Sequence, residues 1–221
     1  MKTKSNKDIF TADDVNILEL SVKFNGFFKI HEYRLSHKLF NGGESAVISR
    51  EIFERGDAVV VIPYDPVRDT LVFNEQFRPG ALRTQSQPWL LEFVAGMFDI
   101  NETPEQVAIR EAKEEANLDI DITDLEPVMS YLSSPGGTSE EIHLYVANVN
   151  SEGVEGIFGL DEEAEDIRIS AYSRCDALRL LEQGKINNAS TVIGLQWIAL
   201  HGENLRKKWL NNENNDTEES L

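Results

Sequence analysis

The stretch "GMFDINETPEQVAIREAKEEANL", from Gly96 to Leu118, decides how this chain is read. Its second half carries helix signals at both ends. "TPEQ" supplies Thr103 as N-cap, Pro104 at the first helical position and Gln106 to complete a capping box. Asn117 follows the last turn, where a left-handed residue closes many helices and Asn is the best substitute for Gly. The spacing predicts a helix over 104–116, with Ile109, Ala112 and Ala116 on its buried side and the alanines allowing close approach to a sheet. In such a helix Glu111, Glu114 and Glu115 fall at i, i+3 and i+4 and repel one another. The last two also sit where the macrodipole disfavours negative charge.

Two readings compete for these carboxylates. A solvated acidic face accounts for Glu105 and Glu114. It accounts badly for Glu111: Glu111 and Glu115 lie beside the packing stripe, where Lys113 points elsewhere and Arg110 pairs with one of them at most. A hard divalent cation reverses the repulsion and accepts oxygen ligands, so Mg²⁺ is the expected cofactor, with Mn²⁺ as a substitute.

The remaining sequence sets bounds on this site. At 221 residues the chain has room for one sizeable domain, with or without a smaller appendage. A net charge of −18 argues against nucleic-acid binding by a broad basic surface, and leaves local arginines or bound cations to meet an anionic substrate. No stretch is apolar for long enough to span a membrane, and no h-region follows the basic start "MKTKSNKDIF". The single cysteine, Cys175, fits a reducing cytoplasm and reads as a packing residue.

Residues 15–55 alternate apolar and polar residues in three short runs, which predicts antiparallel strands too few to bury a core alone. "AVVVIPY" (58–64) reads as a buried strand, "LVFNEQFR" pairs back on it through the turn "DPVRDT", and "WLLEFVAG" (89–96) reads as one further strand. "PVMSYLSS" and "EEIHLYVANV" flank the loop "PGGTS", and "EDIRISAYS" reads as another strand. "RCDALRLLEQG", with Gly184 as a stop signal, and "STVIGLQWIALH" predict two closing helices. Strands and helices without strict alternation imply a mixed sheet between helices.

Gly96, five residues, Glu102, seven residues and "REAKEEANL" resemble the signature box of the Nudix pyrophosphohydrolases, with Asn117 where the family has Gly. "SREIFERGDAVVVIPYDPVRD", "EQFRPGA", "SSPGGTSE" and "GLDEEAEDIRI" resemble its ADP-ribose pyrophosphatase branch, so the likeness covers about residues 20 to 205. The resemblance implies an α/β Nudix fold, a mixed sheet sandwiched between helices, with an N-terminal antiparallel β-subdomain. It divides the chain into dimerising strands over 1–52, a hydrolase domain over 53–209 and a disordered acidic tail over 210–221.

The same resemblance implies the site. Glu111, Glu115 and the Ala95 carbonyl would ligate Mg²⁺, joined by Glu165 from the run "LDEEAED". Glu163 would be the catalytic base, with Glu162 and Asp166 close enough in register to compete for these roles. Glu114 would be a further ligand or supporting carboxylate, Arg110 would hold the box carboxylates, and Glu102 would brace the loop. Arg78 would bind the substrate phosphates. Arg50, Glu51 and Arg55 would contact substrate, with Phe27 and Phe28 stacking near adenine from a partner subunit, and Met97, Ser134, Pro135, Gly136 and Glu140 lining the ribose side. For the glycines a simple hairpin turn is the competing reading, and for Phe27 and Phe28 one core and one surface aromatic. The implied activity is cleavage of ADP-ribose to AMP and ribose 5-phosphate by a cytoplasmic homodimer with shared sites. Another nucleotide sugar or dinucleotide is the alternative substrate, and a non-catalytic metabolite sensor the alternative role. Intact box acids and the lack of a basic helix weigh against the sensor.

Overall fold

A computed structural model describes residues 10–84, 87–160 and 164–218, with the backbone alone beyond Asn211. The chain forms two compact units, one of Met1–Gly56 with Leu132–Glu140, the other of Asp57–Tyr131 with Glu141–Leu221.

The first unit is a three-stranded antiparallel sheet of β1 (Val15–Asn25), β2 (Lys29–His37) and β3 (Ile48–Glu54), as the alternation predicts. The segment 132–140 docks on β3: the Phe53 amide donates to the Gly137 carbonyl at 2.8 Å and the Thr138 hydroxyl to the Phe53 carbonyl at 2.9 Å. This non-local pairing assigns 132–140 to the N-terminal unit, and the boundary falls at 56 rather than 52. Along β1, Ile17, Leu18, Leu20, Val22 and Phe24 are all more than 50% exposed, an apolar surface that the described residues leave uncovered.

The second unit is built on an eight-stranded mixed sheet. Its strands are β4 (Ala58–Asp65), β5 (Thr70–Phe77), β6 (Trp89–Glu92), β7 (Val94–Met97), β8 (Leu125–Leu132), β9 (Glu141–Asn148), β10 (Gly156–Phe158) and β11 (Ile167–Ser173). The order is β10-β11-β5-β4-β9-β8, with β6 on β5 and β7 on β4. The β4–β9 ladder is parallel, whereas β4–β5, β4–β7, β5–β6, β5–β11 and β10–β11 are antiparallel. Every residue of β4 is buried, because both sheet faces are covered. Val59 and Val61 face α1 (Pro104–Ala116), whereas Val60, Ile62 and Tyr64 face α2 (Arg174–Glu182) and α3 (Ala189–Glu218). Gly194 lets α3 approach closely: a Cβ there would meet the Phe93 ring at 2.8 Å.

Three details depart from the sequence reading. "WLLEFVAG" is two strands, because the Phe93 amide leaves the ladder to donate to Thr191 Oγ1 at 3.2 Å, and the chain then moves from β5 to β4. Phe93 itself stacks on Phe73 with ring centroids 4.8 Å apart. The last helix runs to Glu218, into the stretch read as a disordered tail: Leu205 and Trp209 extend its buried stripe, and helix propagation carries the polar residues beyond them. Cys175 is exposed, since α2 buries Ala177 instead. Among the described residues no helix is long and apolar enough to cross a membrane.

Candidate active site

The helix α1 starts and stops where its caps direct. Thr103 and Gln106 form the reciprocal capping box, and Asn117 adopts the left-handed conformation at φ 50°. Its buried side differs from the simple stripe. Val107, Ala108, Ala112, Glu115 and Ala116 are buried, whereas Ile109 is half-buried. Glu115 therefore sits within the packed face, only 3% exposed, and not beside it.

Arg110 ties the box loop to the helix and, of Glu111 and Glu115, bonds Glu111 alone, as expected. Its Nε and Nη2 donate to the two oxygens of Glu102, both at 2.9 Å, and Nη2 also donates to the Met97 carbonyl at 3.0 Å. Its Nη1 donates to Glu111 at 2.7 Å and Glu114 at 3.2 Å. A planar guanidinium with five fixed donors can serve several acceptors where an ammonium could not. The Arg110 hydrogen bonds, helped by the Asp99 amide, lower the Glu102 pKa to about 2. The box loop is thereby pinned to the start of the carboxylate row.

Gly96 fits against Glu111 so closely that a Cβ would lie 1.7 Å from its Oε1. Burial pushes the Glu111 carboxyl up to about 7 against the pull of Arg110, and the charges of Glu114 and Glu165 push the same way. Glu115 is raised to about 8, first by burial and then by Glu111 and Glu165, although the Ala95 amide donates to its Oε2 at 3.1 Å. Glu165 thus acts on both box acids. It is brought round by a tight bend in which Ala164 has φ 55°, and its Oε2 accepts from the Leu160 amide at 3.2 Å. Glu163, with Glu162, lies outside the described residues.

The donor chemistry fits a hard divalent cation. Glu111, Glu115 and Glu165 offer carboxylate oxygens that repel one another in a partly dehydrated site, and Arg110 is already shared among several acceptors. Soft donors are lacking in this set, which suits Mg²⁺ or Mn²⁺. Among the described residues no three acidic, histidine or cysteine side chains form a finished cage, and Glu111 Oε1 is turned to Arg110.

Arg78 follows β5, and its charge also reaches Glu115. Its Nε donates to Glu92 Oε2 at 2.8 Å, and Asn188 Nδ2 donates to Glu92 Oε1 at 2.7 Å. Sequence reading overlooked Asn74, Glu92 and Asn188. A signal existed for Glu92 alone, a single carboxylate inside the apolar run "WLLEFVAG"; Asn74 opens the polar stretch 74–76 and does not stand out there.

Of the other predicted substrate residues, Met97 ends β7 in the second unit and the rest belong to the first. Phe28 packs edge-on against Phe27 and Phe53, and the Arg55 guanidinium lies 5.6 Å from its ring centroid. Arg55 also pairs with buried Glu140 at 3.2 Å. Phe27 is 88% exposed, so the pair divides as one packed and one surface aromatic. Ser134, Pro135 and Gly136 form an exposed turn closed by the Gly137 and Thr138 amides on the Ser134 carbonyl. Arg50 and Glu51 are exposed on β3, and Arg50 Nη1 donates to the neighbouring Ser49 carbonyl.

Comparison with known proteins supports the box. The family model described as "NUDIX domain" matches residues 54–193. The chain is 48% identical over 200 residues to the ADP-ribose pyrophosphatase of Escherichia coli (strain K12), covering 90% of this chain and 95% of that protein. It is 41% identical over 211 residues to the ADP-ribose pyrophosphatase of Haemophilus influenzae, covering 94% and 96%. To the GDP-mannose pyrophosphatase of Pectobacterium atrosepticum it is 29% identical over 192 residues, covering 86% and 97%. A solved structure described as an ADP compounds hydrolase shares the fold at a TM-score of 0.63 and 22% identity, over 93% of this chain and 98% of that one.

Proposed function

We propose, from the premise that this chain belongs to the Nudix family, that it is an ADP-ribose pyrophosphatase that hydrolyses ADP-ribose to AMP and ribose 5-phosphate. The observation that carries this is 48% identity over nine-tenths of the chain, combined with a complete set of box acids brought to one place by Gly96 and Arg110. Water forms a bond to one phosphorus of the diphosphate as the bridging P–O bond breaks. The proton leaves to a base, and the bridging oxygen departs with the other phosphate.

Glu111, Glu115, Glu165 and the Ala95 carbonyl would hold Mg²⁺, with Mn²⁺ as a substitute and Glu114 as a further ligand. A bound divalent cation supplies neutralisation of the phosphoryl oxygens and a more acidic water. The chain's own residues do the remaining work. Gly96 leaves room for Glu111 beside the strand, and Arg110 keeps Glu102, Glu111 and Glu114 in register. Arg78 neutralises substrate phosphate, and Glu163 accepts the water proton.

Phe27, Phe28, Arg50, Glu51 and Arg55, with Met97, Ser134, Pro135, Gly136 and Glu140, select the substrate in a homodimer. Support for the dimer comes from the uncovered apolar surface of β1. A cytoplasmic location follows from the lone cysteine and the nucleotide substrate.

Likeness to a GDP-mannose pyrophosphatase over 86% of the chain keeps one second reading, a hydrolase for a different nucleotide sugar. Steady-state kinetics with Mg²⁺ on both compounds separate the two. The proposal expects a higher kcat/KM for ADP-ribose, and a higher value for GDP-mannose would overturn it.

A further inference from the structure

Two buried polar residues outside the box face each other across β5 and β6. Asn74 and Glu92 are register partners, 0% and 3% exposed. Each gives one polar atom to a functional side chain. Asn74 Nδ2 donates to Glu115 Oε2 at 2.6 Å, and the Ala95 amide donates to the same oxygen. Two donors on one oxygen fix the carboxylate's rotation and present Oε1 on the opposite side. Asn74 Oδ1, meanwhile, is buried with no hydrogen-bond partner. An apolar side chain would be easier to bury there, so folding alone does not account for the amide.

Glu92 is arranged in the same manner around Arg78. It accepts from Arg78 through Nε and not through the terminal nitrogens, while its other oxygen accepts from Asn188. Asn188 is itself fixed at the start of α3, where its Oδ1 accepts from the Thr191 amide at 3.0 Å and from the Ser190 hydroxyl at 2.7 Å. The guanidinium is therefore tied through a buried carboxylate to a rigid helix end.

We propose that Asn74 and Glu92 are the positioning residues of this site, Asn74 setting the rotation of Glu115 toward the divalent cation and Glu92 setting Arg78 toward the substrate diphosphate. The inference rests on the reading of Glu115 and Arg78 given under the proposed function. It makes the cross-strand pair a scaffold with two separable outputs, one for cation affinity and one for substrate affinity.

The test uses the full chain with Asn74→Leu, which keeps the approximate shape without a donor, and Glu92→Gln, which keeps the shape without the charge. Asn74→Val is the second donor-free variant should Leu crowd the strand. Mn²⁺ affinity is read by the EPR signal of free Mn²⁺ without substrate, KM and kcat with ADP-ribose at saturating Mg²⁺, and folding by thermal melt. Asn74→Leu is expected to weaken Mn²⁺ binding roughly 10–100-fold with no loss of thermal stability. Glu92→Gln is expected to raise KM about tenfold, the equivalent of one charge-assisted hydrogen bond, with Mn²⁺ affinity unchanged.

Wild-type Mn²⁺ affinity in Asn74→Leu, or wild-type KM in Glu92→Gln, overturns the corresponding half. Both readouts moving together with a fall in melting temperature would make the pair merely structural and overturn the whole. A wild-type protein that binds Mn²⁺ but leaves ADP-ribose intact would refute the functional reading, and the Glu92 half with it. The Mn²⁺ titration would still decide the Asn74 half.

Discussion

Replacing Gly96 by Ala is the sharpest perturbation this site permits. The new Cβ would lie 1.7 Å from Glu111 Oε1, 1.9 Å from Cδ and 2.3 Å from Cγ. Three consecutive atoms are overlapped, so a small tilt does not help and Glu111 must take another rotamer. Gly96 is not among the positive-φ glycines, so Ala fits the backbone and the clash acts alone. Leaving its place costs Glu111 the 2.7 Å bond from Arg110, worth about 1.5–3 kcal/mol as a charged hydrogen bond. That loss is offset in part because the carboxylate escapes a site whose burial disfavours its charge. Stability should therefore change little. Function should not escape, since displacing a ligand carboxylate costs at least the roughly 10–100-fold in metal affinity typical of disturbing its supporting shell. That is about 1.4–2.7 kcal/mol. Mn²⁺ titration and ADP-ribose turnover measure it, with Gly80→Ala as a control because nothing lies within 4 Å of a Cβ there. A Gly96→Ala protein that binds Mn²⁺ and hydrolyses ADP-ribose as well as wild type would refute the reasoning.

Three further outcomes follow from the same structure. Glu111 and Glu115 have folded-state pKa values of about 7 and about 8, above the ordinary 4.5, so the folded state holds protons that the unfolded state releases. Their contribution is fully present below the ordinary value and is lost as pH rises toward these values. The melting temperature of cation-free protein should fall across that window, the increment from Mg²⁺ should grow, and Glu111→Gln should flatten the slope in a thermal-shift series; a flat wild-type profile would contradict the burial argument. Glu102 acts oppositely: its value of about 2 gives stability that is lost as pH falls from 4.5 toward 2, and Glu102→Gln should remove that acid limb. On β1, Leu20→Glu places a charge in the exposed apolar surface, and sedimentation should change from dimer to monomer; a monomeric wild type would remove the dimer proposal.

What was legible in the sequence was local. The caps of α1, the left-handed Asn117, the alternation of β1–β3 and the unbroken apolar run of β4 are written within a few residues of where they act. The acids of the box could be named because their spacing violates helix electrostatics without a partner. What escaped depended on distant residues. The division of "WLLEFVAG" at Phe93 needs Thr191, and the burial of Asn74 needs Glu115, 41 positions away. The loop partners of Arg110, Glu102 and the Met97 carbonyl, lie outside any helix-face argument. Segment 132–140 joins β3 only through pairing that no local pattern encodes.

The central claim is tested most directly by following ADP-ribose with Mg²⁺ in real time by ³¹P NMR, for wild type and for Glu111→Gln verified as folded. The account predicts that the diphosphate resonances give way to those of AMP and ribose 5-phosphate with wild type, and persist with the variant. Intact ADP-ribose with folded wild-type protein, or equal turnover by Glu111→Gln, would contradict it.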